Sequence, residues 1–115
     1  RNLPNDIAQE IIALNGLIGI NLLTIFTGKV PQDTFKHIAH GISLGGENHL
    51  AFGADFFGGV SLPSDIVKKG VPLFEKGYHN SSCYPHLLRQ MENEFSMEVI
   101  EKIAYKNALK LLERE

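Results

Sequence analysis

His49-Leu-Ala-Phe-Gly-Ala-Asp55-Phe-Phe-Gly-Gly59 is the stretch whose reading decides the fold. Residues 50–54 form a short run of apolar and small side chains, with Gly53 leaving one position bare. A strand covered on both faces does not alternate between apolar and polar residues. This run, bounded by Gly58 and Gly59, therefore reads as a buried strand of a parallel sheet. Asp55 comes where that strand should end. Ligands of α/β folds sit at the carboxyl ends of the strands, so a carboxylate there is placed for chemistry. An aspartate close to Gly-Gly is also ordinary turn chemistry, and spacing alone leaves both roles open.

A second apolar run precedes it. Leu17-Ile-Gly-Ile-Asn-Leu-Leu23 is too short for a typical helix and reads as another buried strand. Its one polar residue is Asn21, and a buried amide needs partners. Asn21 is either a site residue or a brace for the loop behind the strand, and the brace is the simpler reading. Residues 2–14 predict a helix ahead of this strand. Asn2 is suited to cap it, Pro4 to enter its first turn, and Asp6 and Glu10 to favour its positive end. Ile7, Ile11 and Leu14 make its apolar stripe, and Asn15-Gly16 stops it. Between the strands, Thr24 to Val30 read as a loop turning at Gly28. Pro31 then opens a helix with Phe35, Ile38, Ala39 and Ile42 on one face, ended by Gly45-Gly46.

The order helix, strand, helix, strand is that of a parallel α/β sheet, with a right-handed crossover expected. His37 and His40 lie three apart, a spacing able to bind a metal. They sit mid-helix with no third ligand nearby, so packing or surface roles are the simpler account. Residues 60–84 carry Pro63, Gly70, Pro72 and Gly77 and read as a long excursion, with one helical turn near Ser64–Lys69. His79 and Cys83 within it form a conceivable nucleophile pair, but no acid is in view to orient them. Pro85 opens a short helix with Leu87, Leu88 and Met91 inward. Ser96 caps the last helix, where Val99, Ile100, Ile103, Ala104, Ala108, Leu111 and Leu112 give an apolar face. Lys102, Lys106, Lys110 and Arg114 give the opposite one, a solvated charge run.

The whole chain has 115 residues, enough for one modest core and too few for a (β/α)₈ barrel of roughly 250. Eleven basic and 13 acidic residues are interspersed, with a formal net charge of −2 and no basic stripe, so nucleic acid is not an expected partner. One cysteine, Cys83, excludes an internal disulfide framework and any four-cysteine zinc site. Leu17 to Phe26 is too short to span a bilayer as a helix. No signal segment is visible, which favours a cytoplasmic protein. The chain opens on Arg rather than Met, which leaves room for a targeting sequence upstream.

Several segments in a fixed order carry a family resemblance: Arg1-Asn-Leu-Pro-Asn-Asp6, Gly19-Ile-Asn21, Phe35-Lys-His-Ile-Ala-His40, Phe52-Gly-Ala-Asp-Phe56 and Asn107-Ala-Leu-Lys-Leu-Leu112. Together they resemble the carboxyl-terminal part of the membrane (renal) dipeptidase family of zinc metallopeptidases, nearly end to end. The resemblance implies an amidohydrolase-type (β/α)₈ barrel with two zinc ions per subunit, hydrolysing dipeptides through a metal-bound hydroxide. It implies that this chain is a single partial domain, residues 1–115, supplying only the last quarter of the barrel. Its two parallel strands would be the seventh (about 17–23) and the eighth (about 50–54). The metal ligands belong to earlier strands, so none is expected in this chain.

Two site residues carry over. Asp55 matches the aspartate that handles the catalytic proton. Arg1 matches the arginine that holds the substrate's terminal carboxylate, for which a guanidinium fork is suited. One departure stands beside them: many members read Asp-Phe-Asp-Gly here, whereas this chain has Phe57 for the second aspartate. The resemblance further implies a dipeptide as substrate and an isolated fragment without activity. A quarter barrel has open apolar edges, which the rest of the barrel or further copies of the chain must cover, so a homo-oligomer is expected. The competing expectation is a non-catalytic α/β binding or assembly module derived from such a barrel.

Overall fold

Two strands, Ile18–Ile20 (β1) and Leu50–Phe52 (β2), pair in parallel, with Ile18 opposite Leu50, Gly19 opposite Ala51 and Ile20 opposite Phe52. The structure is a computed structural model and describes residues 2–56 and 73–113. Around the sheet lie helices Asn5–Ala13 (α1), Thr24–Thr27 (α2), Gln32–Ser43 (α3), Tyr84–Met91 (α4), Met97–Glu101 (α5) and Asn107–Leu112 (α6). A π-helical segment, Lys102–Lys106, joins the last two into one rod. The two strands and the helix between them stand where the apolar runs place them.

Successive strand residues point to opposite faces, and the two faces of this sheet differ sharply. Ile20, Leu50 and Ala54 join one buried cluster with Phe35 and Ile38 of α3, Leu87 and Met91 of α4, and Ile100 and Ile103 of the final rod. Fully burying each Leu, Ile or Met contributes about 1.5–3 kcal/mol, so this cluster dominates the energetics of the described residues. The other face carries Gly19, Ala51 and Gly53, with Asp55 just beyond; Ala51 is buried, whereas Gly19, Gly53 and Asp55 are exposed. A Cβ on Gly53 would stand 3.2 Å from the Gly19 Cα. Glycine on both strands therefore lets the backbones close up and leaves those positions bare.

Helices α1 and α3 end alike. Gly16 N–H donates to Ile11 C=O (2.8 Å) and Asn15 N–H to Ile12 C=O (2.9 Å), with Asn15 at φ +61°. Gly46 N–H donates to Gly41 C=O (3.0 Å) and Gly45 N–H to Ile42 C=O (2.9 Å), with Gly45 at φ +93°. Both are Schellman closures, in which a left-handed residue turns the chain back on the last helical carbonyls. Ser96 caps the final rod as expected, its Oγ accepting from Val99 N–H at 3.2 Å.

Three expectations are corrected. Asn2 does not cap the first helix: α1 starts at Asn5, after an extended Pro4 that makes no side-chain capping bond. The residue before a proline is itself held extended, so the helix cannot begin ahead of Pro4. Thr24 to Val30 is not all loop, because α2 makes one helical turn there, with the Thr27 hydroxyl donating to Asn21 C=O (3.0 Å) and Leu23 C=O (3.2 Å). Lys102 is not merely solvated: its ammonium pairs with Glu47 across from the rod and with Glu98 on it. The Glu47 hydrogen bond, more than any other influence, raises the Lys102 pKa. The helical turn expected near Ser64–Lys69 lies outside the described residues. No helix among the described residues is long and apolar enough to cross a membrane.

Candidate functional site

The ladder between the strands runs on past their formal ends. Gly53 N–H donates to Ile20 C=O at 2.9 Å, and Leu22 N–H to Ala54 C=O at 3.4 Å. This continuation carries Asn21, just past β1, alongside Asp55, just past β2. The Asn21 side-chain amide donates from Nδ2 to Asp55 Oδ2 at 3.5 Å. Its other atom is fixed at the same time, since Asn21 Oδ1 accepts from Leu23 N–H at 2.6 Å. Sequence alone posed brace or site residue as alternatives for Asn21; the bond from Leu23 N–H to its Oδ1 is the brace.

Asp55 is exposed and has φ +67°. That left-handed conformation costs a non-glycine residue about 1–3 kcal/mol, least for Asp and Asn. A glycine would hold this turn without strain. The chain instead carries a carboxylate on the glycine-lined face, at the carboxyl end of the sheet. Behind it Phe56 packs against Phe74 and Tyr84, with ring centroids 5.8 and 6.0 Å apart, and Tyr84 also meets Phe52 at 5.4 Å. This aromatic wedge seats the backbone that presents Asp55.

The other singled-out residues fall elsewhere. Arg1 and Phe57 lie outside the described residues. His40 uses Nε2 to meet Asn5 Oδ1 at 2.8 Å, tying α3 to the start of α1. His37 and His40 line a groove of about 140 Å³ along β1. Cys83 is buried, and desolvation pushes its thiol pKa up, opposite to what activates a nucleophile. Among the described residues no three His, Cys, Asp or Glu side chains gather where a metal could be held. The described residues therefore do not compose a metal centre by themselves.

The Asn21–Asp55 link is what sequence reasoning missed. Thirty-four residues separate the two, and no local signal joins them; only the parallel register does.

Asp55 is thus an exposed carboxylate at the carboxyl end of a strand in a parallel sheet, the end at which α/β folds take their ligands. The model of the membrane dipeptidase family, peptidase family M19, matches residues 1–115, and the chain belongs to that family. An uncharacterized protein from the pqqA 5′ region of Klebsiella pneumoniae is 26% identical over 97% of this chain and 40% of its own length. An uncharacterized dipeptidase of Schizosaccharomyces pombe is 25% identical over 96% of this chain and 26% of its own length. The chain thus spans well under half of each of these relatives. The crystal structure of dipeptidase AC, a metallopeptidase of family M19, shares the fold with a TM-score of 0.78 and 24% identity, over 99% of this chain and 32% of that one.

Proposed function

We propose that residues 1–115 are the C-terminal part of a zinc-dependent dipeptidase, a partial domain whose β1 and β2 are the seventh and eighth strands of a (β/α)₈ barrel. The observation that carries this reading is Asp55, an exposed carboxylate at the carboxyl end of β2, in a chain that matches the family along its whole length. The exposure of Gly19 and Gly53 supports the barrel, since the described helices leave that sheet face uncovered and the remaining strands of a closed sheet would enclose it. The pairing of the described strands supports it too, because β1 and β2 each use only one edge among the described residues.

In the complete protein, residues outside this chain would hold two zinc ions per subunit, which would supply Lewis acidity. Asp55 takes a proton through a carboxylate oxygen and returns it to the leaving amine, the work of a positioned general base and acid. Arg1 grips the dipeptide's terminal carboxylate with two parallel N–H donors. Copies of the subunit associate as a homo-oligomer.

The test compares the complete protein with the 115-residue chain alone. The complete protein is expected to hydrolyse dipeptides and hold two zinc ions tightly; the isolated chain is expected to do neither. Two tight zinc ions on the isolated chain by equilibrium dialysis would overturn the fragment reading. A complete protein that binds but never cleaves dipeptides would favour a non-catalytic module instead.

Arg1→Lys in the complete protein keeps the charge and removes the fork. KM for dipeptides is expected to rise by an amount equivalent to roughly 1.5–3 kcal/mol, the worth of a charge-assisted bond. Dipeptide amides, which lack the terminal carboxylate, are expected to be poor substrates and little affected. Equal effects on acid and amide substrates would remove the carboxylate-clamp assignment.

A further inference from the structure

Resting on the reading of Asp55 as proton carrier, we propose that Asn21 is the positioning residue that aims the Asp55 carboxylate. The donor and acceptor identities of the Asn21 amide set which way it faces. Leu23 N–H points at the side chain of Asn21 from 2.6 Å, and only an oxygen can accept that bond. The amide cannot flip without setting two donors against each other. Its NH₂ must therefore face the other way, where the acceptor it meets is Asp55 Oδ2 at 3.5 Å.

The Asn21 backbone is pinned as well. Its carbonyl accepts from the Thr27 hydroxyl at 3.0 Å, and its neighbour Leu22 N–H donates to Ala54 C=O at 3.4 Å. A donor fixed at both its backbone and its Oδ1 makes a directional constraint on a carboxylate that is otherwise exposed. With Oδ2 turned toward the Asn21 amide, Oδ1 of Asp55 is the oxygen held away from it and presented for proton exchange. The exposed, glycine-lined face beside it puts no side chain of Gly19 or Gly53 in the way. Placement of this kind matters because small displacements of a reacting group cost rate steeply.

Two variants of the complete protein separate aiming from bracing. Asn21→Asp keeps an oxygen for Leu23 N–H and replaces the donor to Asp55 by an acceptor. Asn21→Ser keeps a short oxygen able to brace the turn and is too short to reach Asp55. In both, kcat is expected to fall about 10- to 100-fold, with KM within about twofold and metal content and melting temperature unchanged. Introduced on top of Asp55→Asn, either substitution is expected to cost nothing further in kcat, because residues acting through one another are not additive. Wild-type kcat in both Asn21 variants, alongside a damaging Asp55→Asn, would overturn the positioning role and leave the Asp55 reading standing. An equal further loss in the Asp55→Asn background would also overturn it, since Asn21 would then act on something other than Asp55. If Asp55→Asn alone is harmless, it is the reading of Asp55 that fails.

Discussion

Asp55→Asn in the complete protein is expected to lower kcat by about 10²–10⁴-fold, the usual worth of a positioned general acid–base, with metal content and stability close to wild type. The substitution is chosen for what it preserves. Asparagine tolerates the left-handed backbone that this position demands at φ +67°. Its side-chain oxygen can still accept from the Asn21 amide, so the turn and the link between the strand ends survive. What disappears is a carboxylate, the group that takes up and releases the proton. Steady-state kinetics on a dipeptide, with zinc content measured on the same sample, checks the expectation. Near-full activity would mean that Asp55 is only a turn residue, the bland role that Asp before Gly-Gly also allows. Asp55→Gly is a useful companion, because it relieves the positive-φ strain while removing the carboxylate. That variant is expected to be at least as stable as the wild type and as inactive as Asp55→Asn.

A large stability effect is expected at Leu50. Its side chain is 1% exposed at the start of β2 and packs against α3, where an added Cβ on Gly41 would lie 3.0 Å from a Leu50 methyl. Leu50→Ala is expected to cost about 2–5 kcal/mol, the transfer free energy of the lost methyl groups plus the cavity left behind. Denaturant unfolding of the complete protein provides the measurement. The geometry also predicts a specific non-additivity. In the wild type, Gly41→Ala must push the Leu50 methyls aside, a cost set against the better helix propensity of alanine. Once Leu50 is alanine that crowding is gone, so Gly41→Ala should become stabilising and partly refill the space. A double-mutant cycle showing strict additivity would mean that α3 and β2 do not meet at this point.

The site was half legible in the sequence. A carboxylate directly behind an apolar run was readable at Asp55 because strand polarity fixes which end of a parallel sheet is open to ligand. Its left-handed backbone was not readable, since Asp is accepted in many turn conformations. Asn21 stood out as the one polar residue of its run, yet its partner lay on the other strand. A similar limit applies to Asn107, which looks like an ordinary helix residue. In the fold it is buried and donates to Glu47 C=O (3.0 Å) and Leu50 C=O (2.8 Å), anchoring the final rod to the base of β2.

By itself the sequence determined the kinds and order of the main elements: the two apolar runs at 17–23 and 50–54, the amphipathic helices around them, and the Asn15-Gly16 and Gly45-Gly46 stops. Those follow from local periodicity and from backbone preferences that each residue carries with it. Tertiary structure alone decided how far each run pairs, since regular ladder spans only Ile18–Ile20 and Leu50–Phe52. It also decided how α2 is anchored, because Thr24 N–H at its start donates to Leu73 C=O at 2.8 Å, from a segment far along the chain. And it decided that Asn21 meets Asp55. A hydrogen bond across 34 residues depends on strand register, and register is set by the packing of whole faces, which no single stretch of sequence contains.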